Sequence, residues 1–446
     1  MRVLAFALAL VALSVLSARA ARAENLQQVY RDAKSYDAQI ASARFALQAG
    51  LEKLPQGRAL LLPTINATAG TTTNHLGLSP YGPNPIAAQS GRTFYNRNYQ
   101  ISFSQPVFRL QNWLQFDQAE QQVRQAEAVY GQATQDLIVR AAQAYFDVLA
   151  AQDTLALVGA QKTAISEQLA QAKRNFEVGT ATITDTHEAQ ARFDLSVAQE
   201  ISALNDLESK KKTLSQVTGK DYAALAQLRP QVSLAPPNPS NMNDWVTLTG
   251  KQAYPVVIQD AVTQIAGLQS KIARAGHLPT VDLVATYGQT EQTGSAVSAS
   301  SSQINLGSIG FQLAVPLYQG GAISSREREA AALFEKAKQD LDNARRSSVL
   351  SAQQSYLAVI NGVAQVRALE QALVSSQSAL DSNKLGYEVG VRINIDVLNA
   401  QQQLFSTRRD LAVARYNTIT NHLKLKAAAG GLREEDLEEV NRALEP

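Results

Sequence analysis

The sequence predicts a mixed fold: long helical hairpins joined to a few amphipathic strands, laid out as two similar halves. Three observations carry this. First, 176–191 (FEVGTATITDTHEAQA) and 387–402 (YEVGVRINIDVLNAQQ) share Val-Gly and an Asp six residues later, with Gly179 to Gly390 and Asp185 to Asp396 both 211 positions apart. The correspondence extends outward, Tyr145 to Tyr356 at 211, Pro106 to Pro316 at 210 and Tyr36 to Tyr254 at 218, so the small drift belongs in loops. Second, prolines cluster at 55–106, 230–255 and 279–316 and leave proline-free runs over 107–229 and 317–445, each interrupted near its middle by one Val-Gly. Third, short segments alternate apolar and polar residues with a period of two.

Taken in order, the chain opens with Met1-Arg2, an apolar run over 3–16 and Ala21-Arg22-Ala23, the pattern of a signal peptide over 1–23, so the mature chain is expected to begin at Glu24. No other run is long and apolar enough for a membrane-spanning helix, so any membrane contact must be made by strands. Absence of cysteine excludes disulfides, thiolate metal sites and an N-terminal lipidated Cys. A net charge of +2 argues against a nucleic-acid binder.

Helical spacing of three and four runs from Phe116 through Tyr130, Leu137, Ala144, Leu155, Ile165 and Leu169 to Phe176, with Lys162 the one charged intruder. At about 1.5 Å per residue that is roughly 90 Å of helix. A second partly apolar stripe, Val129, Ile138, Tyr145 and Leu149, predicts packing against two neighbours. Periodicity alone leaves an ordinary antiparallel coiled coil equally open.

The strands decide against it. Tyr95, Tyr99, Ile101 and Phe103 alternate with Asn96, Asn98, Gln100 and Ser102; Val281 to Tyr287 and Ile309 to Val315 repeat the pattern, and 65–73 is a weaker member. Each half thus carries one β-hairpin, about 62–107 and 278–317, closed by the long polar loops 74–92 and 290–303. In lipid every backbone N–H and C=O must be paired, and four strands cannot close a barrel, so several chains must share one. A soluble sandwich escapes this argument, but a face of Asn, Gln and Ser suits a water-filled lumen better than a protein core.

The residues ENLQQVY from Glu24, AYFDVLAAQ from Ala144, FEVGTATITD, HLPTVDLVATYG from His277, PLYQGG from Pro316, YEVGVRINIDVLNA and ARYNTITNHLKLKAAAG from Ala414 together resemble the TolC-type outer-membrane channels of efflux pumps and type I secretion systems. The resemblance covers the whole mature chain. It implies a homotrimer in which three chains supply four strands each to one 12-stranded barrel in outer-membrane lipid, continued by a periplasmic α-helical barrel. Its first repeat would be 24–229, with a tip near 178–184, and its second 253–429, with a tip near 389–395. Equatorial segments 230–252 and 430–446 would belt the tunnel. The implied function is a passive exit duct serving a periplasmic adaptor (membrane fusion) protein and an inner-membrane RND or ABC transporter. No catalytic site, metal or cofactor is expected, in keeping with the absence of a phosphate loop, a nucleophile motif or histidines at metal spacing. A substrate-specific porin would need many strands within one chain, and a structural periplasm-spanning coiled coil would need no polar-lined strands.

Function is expected at the tips. Val178-Gly179-Thr180 and Val389-Gly390-Val391 read as tight helix–helix turns on glycine; the resemblance adds adaptor docking. Asp185 and Asp396 suit the first turn of a helix, with Thr184 or Asn394 as caps. His187 reads as a solvated helix residue rather than a pH sensor. In the family the second tip carries two acids three residues apart, which a trimer stacks into two negative rings; here Asp396 keeps one and Asn399 neutralises the other. The expectation is cation preference with weaker block by trivalent cations than in a two-ring channel, restored by Asn399→Asp. The family's closing links fall on Tyr387, Arg392, Thr184 and Asp185, with Glu177 and Glu188 as rival acceptors for Arg392.

Overall fold

The structure is a computed structural model describing residues 23–77, 91–229, 232, 234–295, 298 and 300–445. The expected leader, apart from Ala23, and most of the first polar loop lie outside the described residues. In chain order the elements are α1 (Leu26–Tyr36), α2 (Ala38–Leu51), α3 (Lys53–Ala59), β1 (Thr64–Leu76), β2 (Arg92–Phe108), α4 (Leu110–Glu177), α5 (Ile183–Thr218), α6 (Met242–Gln252), α7 (Tyr254–Ala275), β3 (Thr280–Gln292), β4 (Ser302–Ala314), α8 (Ala322–Glu388), α9 (Asn394–Ala428) and α10 (Glu435–Arg442). The proline-free runs hold the hairpins α4–α5 and α8–α9, whose long helices have 68 and 67 residues. Among the described residues no helix is long and apolar enough to cross a membrane.

The chain divides into two compact units. One contains the strands, with 47–127 and 258–342. Its sheet is antiparallel throughout in the order β1-β2-β3-β4. The register aligns chemistry across all four strands: Ile65, Phe103, Ala285 and Ile309 form one row, and Asn66, Ser102, Thr286 and Ser308 form the next. Successive side chains point to opposite faces, so over these rows the sheet has one apolar and one polar face, while nearer the start of β4 Ile304 and Leu306 fall on the Ser308 face. Within the chain β1 and β4 each pair on one side only, and β4 is exposed along its whole length. Where β2 leaves the sheet, Arg109 Nε donates to Asp282 Oδ1 at 2.8 Å and Nη2 to Oδ2 at 2.5 Å, a two-pronged pair that ties the start of α4 to β3. Small residues allow close helix approach below it: a Cβ on Gly57 would fall 2.7 Å from Ala119 Cβ, and one on Gly50 2.4 Å from Ala126 Cβ.

The other unit contains residues up to 46, 128–257 and 343 onward, and holds the main core. Asn25 caps α1 by accepting from Gln28 N at 2.9 Å, and Leu26, Val29, Tyr30 and Ala33 on one face of α1 are buried. They join Leu137, Ala141, Tyr145 and Phe146 of α4, Leu214 of α5 and Ile419 and Leu423 of α9. Phe146 stacks on Tyr416 at 5.6 Å between ring centroids, and Tyr416 OH donates to Asp153 Oδ2 at 2.7 Å; burial holds the Asp153 carboxyl above the usual carboxylate range. Ile138, Tyr145 and Leu149 of the second stripe are buried, whereas Val129 is 40% exposed, so that stripe is shorter than its periodicity predicts. Lys162 is matched by Glu200 Oε2 of α5 at 2.5 Å, which explains a charge in the apolar repeat.

The segments flanking the hairpins add two isolated bridges, Glu24 with Leu225 and Leu228 with Leu444. Tyr145 OH donates to the Ala226 carbonyl at 2.7 Å, and Tyr356 OH, 211 positions later, to the Ser240 carbonyl. Gly430 ends α9 with φ +75°, and a Cβ there would lie 2.1 Å from the Gln252 carbonyl oxygen. Gly430→Ala is therefore expected to cost about 2 kcal/mol or more and to lower the melting temperature in detergent; an unchanged melting curve would contradict this close approach.

Candidate functional site

The two hairpin tips are built alike. In the first, the Asn175 carbonyl accepts from Thr180 N at 2.8 Å and Ala181 N at 3.2 Å, and Gly179 takes φ +77°. In the second, the Gly386 carbonyl accepts from Val391 N at 2.9 Å and Arg392 N at 3.0 Å, and Gly390 takes φ +81°. These helix ends wrap the last carbonyl around a left-handed residue, a conformation open to glycine without a Cβ penalty. The turn projects valine outward: Val178 is 72%, Val389 66% and Val391 75% exposed, and Thr180 is exposed beside them.

The helices leaving the tips start differently. Thr182, not Thr184, caps α5: its Oγ1 accepts from Asp185 N at 3.3 Å while Asp185 Oδ2 accepts from Thr182 N at 2.9 Å and Thr182 Oγ1 at 2.8 Å. A cap needs extended backbone, and Thr182 has φ −86° and ψ 157°, whereas Thr184 already lies within the helix. At the second tip the cap position is Ile393, with no side-chain bond, and Asn394 is inside α9, buried, with neither amide atom partnered. Asn394 therefore does not act as the expected cap. Asp396, freed from capping, lies 3.7 Å from Arg392 Nη1.

Within one chain the expected closing residues are not gathered on one another. Tyr387 OH accepts from Asn175 Nδ2 at 3.1 Å, a link from the second hairpin to the first. Arg392 faces Asp396 of its own hairpin, Asp185 is engaged by its own cap, and Thr184 and His187 are exposed. A second link escaped the sequence reading: Arg192 of α5 donates from Nη1 to Gln402 Oε1 at 2.7 Å and from Nη2 to Asn399 Oδ1 at 2.9 Å. Its only signal in the sequence is a charge seven residues after Asp185 that the second half replaces with Gln403. Beside these links Ile165, Leu169, Ala172, Ala189 and Leu398 form a small apolar cluster joining α4, α5 and α9.

A four-stranded antiparallel sheet combined with two long helical hairpins is a fold shared with solved outer-membrane channels. The solved Campylobacter jejuni CmeC outer membrane channel matches with a TM-score of 0.79 over 95% of this chain and 90% of that one, at 16% identity. The sequence matches the outer membrane efflux protein family over 29–220 and 261–431, and the chain belongs to that family. Among relatives, the outer membrane protein TolC of Vibrio cholerae is 35% identical over 423 residues, 95% of this chain and 94% of that protein. The proteases secretion protein PrtF of Dickeya chrysanthemi is 30% identical over 433 residues, 95% and 91% of the two chains.

Proposed function

We propose that the chain is the outer-membrane exit duct of an efflux pump, a type I secretion system or both, working as a homotrimer. The observation that carries this is the sheet: four strands in register, with an apolar and a polar face and an unpaired side on each outer strand. Lipid does not tolerate unpaired backbone groups, so β4 of one copy would pair with β1 of the next until twelve strands close around a polar lumen. The repeated tip geometry and the Tyr145 and Tyr356 bonds support two tandem repeats per chain, six helical hairpins in the trimer. The valine-bearing tips would dock a periplasmic adaptor, through which an inner-membrane transporter supplies solute. Relatives named for efflux and for protease secretion favour both cargo classes.

The test is mass and conductance together. Detergent-solubilised protein is expected to weigh three chains by light scattering and to conduct ions in a planar bilayer. A conducting monomer would overturn the shared barrel, and a trimer without conductance would overturn the duct.

A further inference from the structure

The link through Arg192 changes what Asn399 means. Arg192 is partly buried, and both ends of its guanidinium are committed across the hairpin seam, to Gln402 at 2.7 Å and Asn399 at 2.9 Å. Gln402 and Asn399 lie three residues apart on one face of α9, so the planar fork meets two amide oxygens on adjacent turns. Among the described ion pairs none includes Arg192, so no carboxylate compensates its charge. Of the acids within four residues along its own helix, Asp194 accepts from Gln190 Nε2 at 2.9 Å and neither it nor Glu188 is among the described ion pairs of Arg192, while Asp396 on the facing helix is already opposed by Arg392.

We propose that Arg192 is a specificity-determining residue of the entrance: at the level of Asn399 it places a guanidinium where two stacked acid rings would have a carboxylate. In the trimer this makes a ring of positive charge one helical turn from the Asp396 ring, so the mouth is bipolar and admits anionic solutes that a doubly acidic mouth repels. The inference rests on the exit-duct reading. It also alters the expected effect of Asn399→Asp, because the new carboxylate would form a fork-to-fork pair with Arg192 and its field would be cancelled locally.

The experiment compares wild type, Arg192→Gln, Asn399→Asp, the double variant Arg192→Gln/Asn399→Asp, and Arg192→Lys/Asn399→Asp as trimers in planar bilayers. The reversal potential in a KCl gradient and block by hexamminecobalt(III) are recorded. Asn399→Asp alone is expected to change block by no more than about twofold, because the pair is neutral. Arg192→Gln should shift the reversal potential toward cation preference, and the Arg192→Gln/Asn399→Asp variant should tighten block about tenfold or more, as three uncompensated carboxylates are exposed in a confined mouth. Arg192→Lys/Asn399→Asp keeps the charge without the fork and should behave as Asn399→Asp alone, separating charge from packing. Equal tightening in Asn399→Asp and in the Arg192→Gln double variant overturns the proposal, as does a reversal potential that Arg192→Gln leaves unmoved. If the wild-type trimer does not conduct, the exit-duct reading fails instead.

Discussion

Tyr387→Phe combined with Arg392→Ser is expected to open the periplasmic entrance, raising bilayer conductance and letting large antibiotics such as vancomycin leak into cells. Phenylalanine keeps the ring but removes the oxygen that accepts from Asn175 Nδ2 at 3.1 Å. Such a bond contributes about 1 kcal/mol. Arg392 is more than half exposed in the chain and lies 3.7 Å from Asp396, a geometry worth about 0–1 kcal/mol; in the trimer its long side chain would also reach Asp185 and Thr184 on a neighbouring hairpin. Neither term is large. In the proposed trimer threefold symmetry would multiply both, and a few kcal/mol moves a closed-to-open ratio by on the order of a hundredfold. Asn175→Ala should reproduce the Tyr387 half of the effect without touching the second tip. Parental conductance from an intact trimeric double variant would place the closure in the helix packing around Leu398, or in the Arg192 link.

Efflux itself should vanish when the tips are made polar. Val178→Asp with Val389→Asp puts charge on two side chains that are 72% and 66% exposed, so the fold loses little, yet any apolar partner seated on the tips must then bury carboxylates. The double variant is expected to remain trimeric and to conduct in a bilayer. In cells its drug resistance should fall to that of a strain lacking the protein. Full resistance conferred by it would show that the valines do not meet the adaptor.

Much of this architecture is legible in the sequence because it rests on signals summed over many residues. Two proline-free runs of more than a hundred residues leave little alternative to helical hairpins, and Val-Gly in the middle of each marks the turn that Gly179 and Gly390 make with positive φ. Strand existence is equally plain, but strand length is not. The alternation in β4 is visible only from Ile309 to Leu313, while the strand begins at Ser302, because Ile304 and Leu306 lie on the opposite face and cancel the period. Among three threonines at 182, 184 and 186, the cap is decided by which one has extended backbone, and that depends on how the turn enters the helix.

The sequence by itself thus determined the helical hairpins, the four strands, the two Val-Gly turns and the loss of an acid at Asn399. Only the tertiary structure decided that Tyr387 meets Asn175 and that Arg192 reaches Asn399 and Gln402, contacts spanning more than two hundred residues of chain. A period accumulates evidence turn after turn along one helix, whereas a single side-chain contact between hairpins exists only once α4, α5 and α9 have packed on their shared apolar cluster and brought two distant faces within hydrogen-bonding reach.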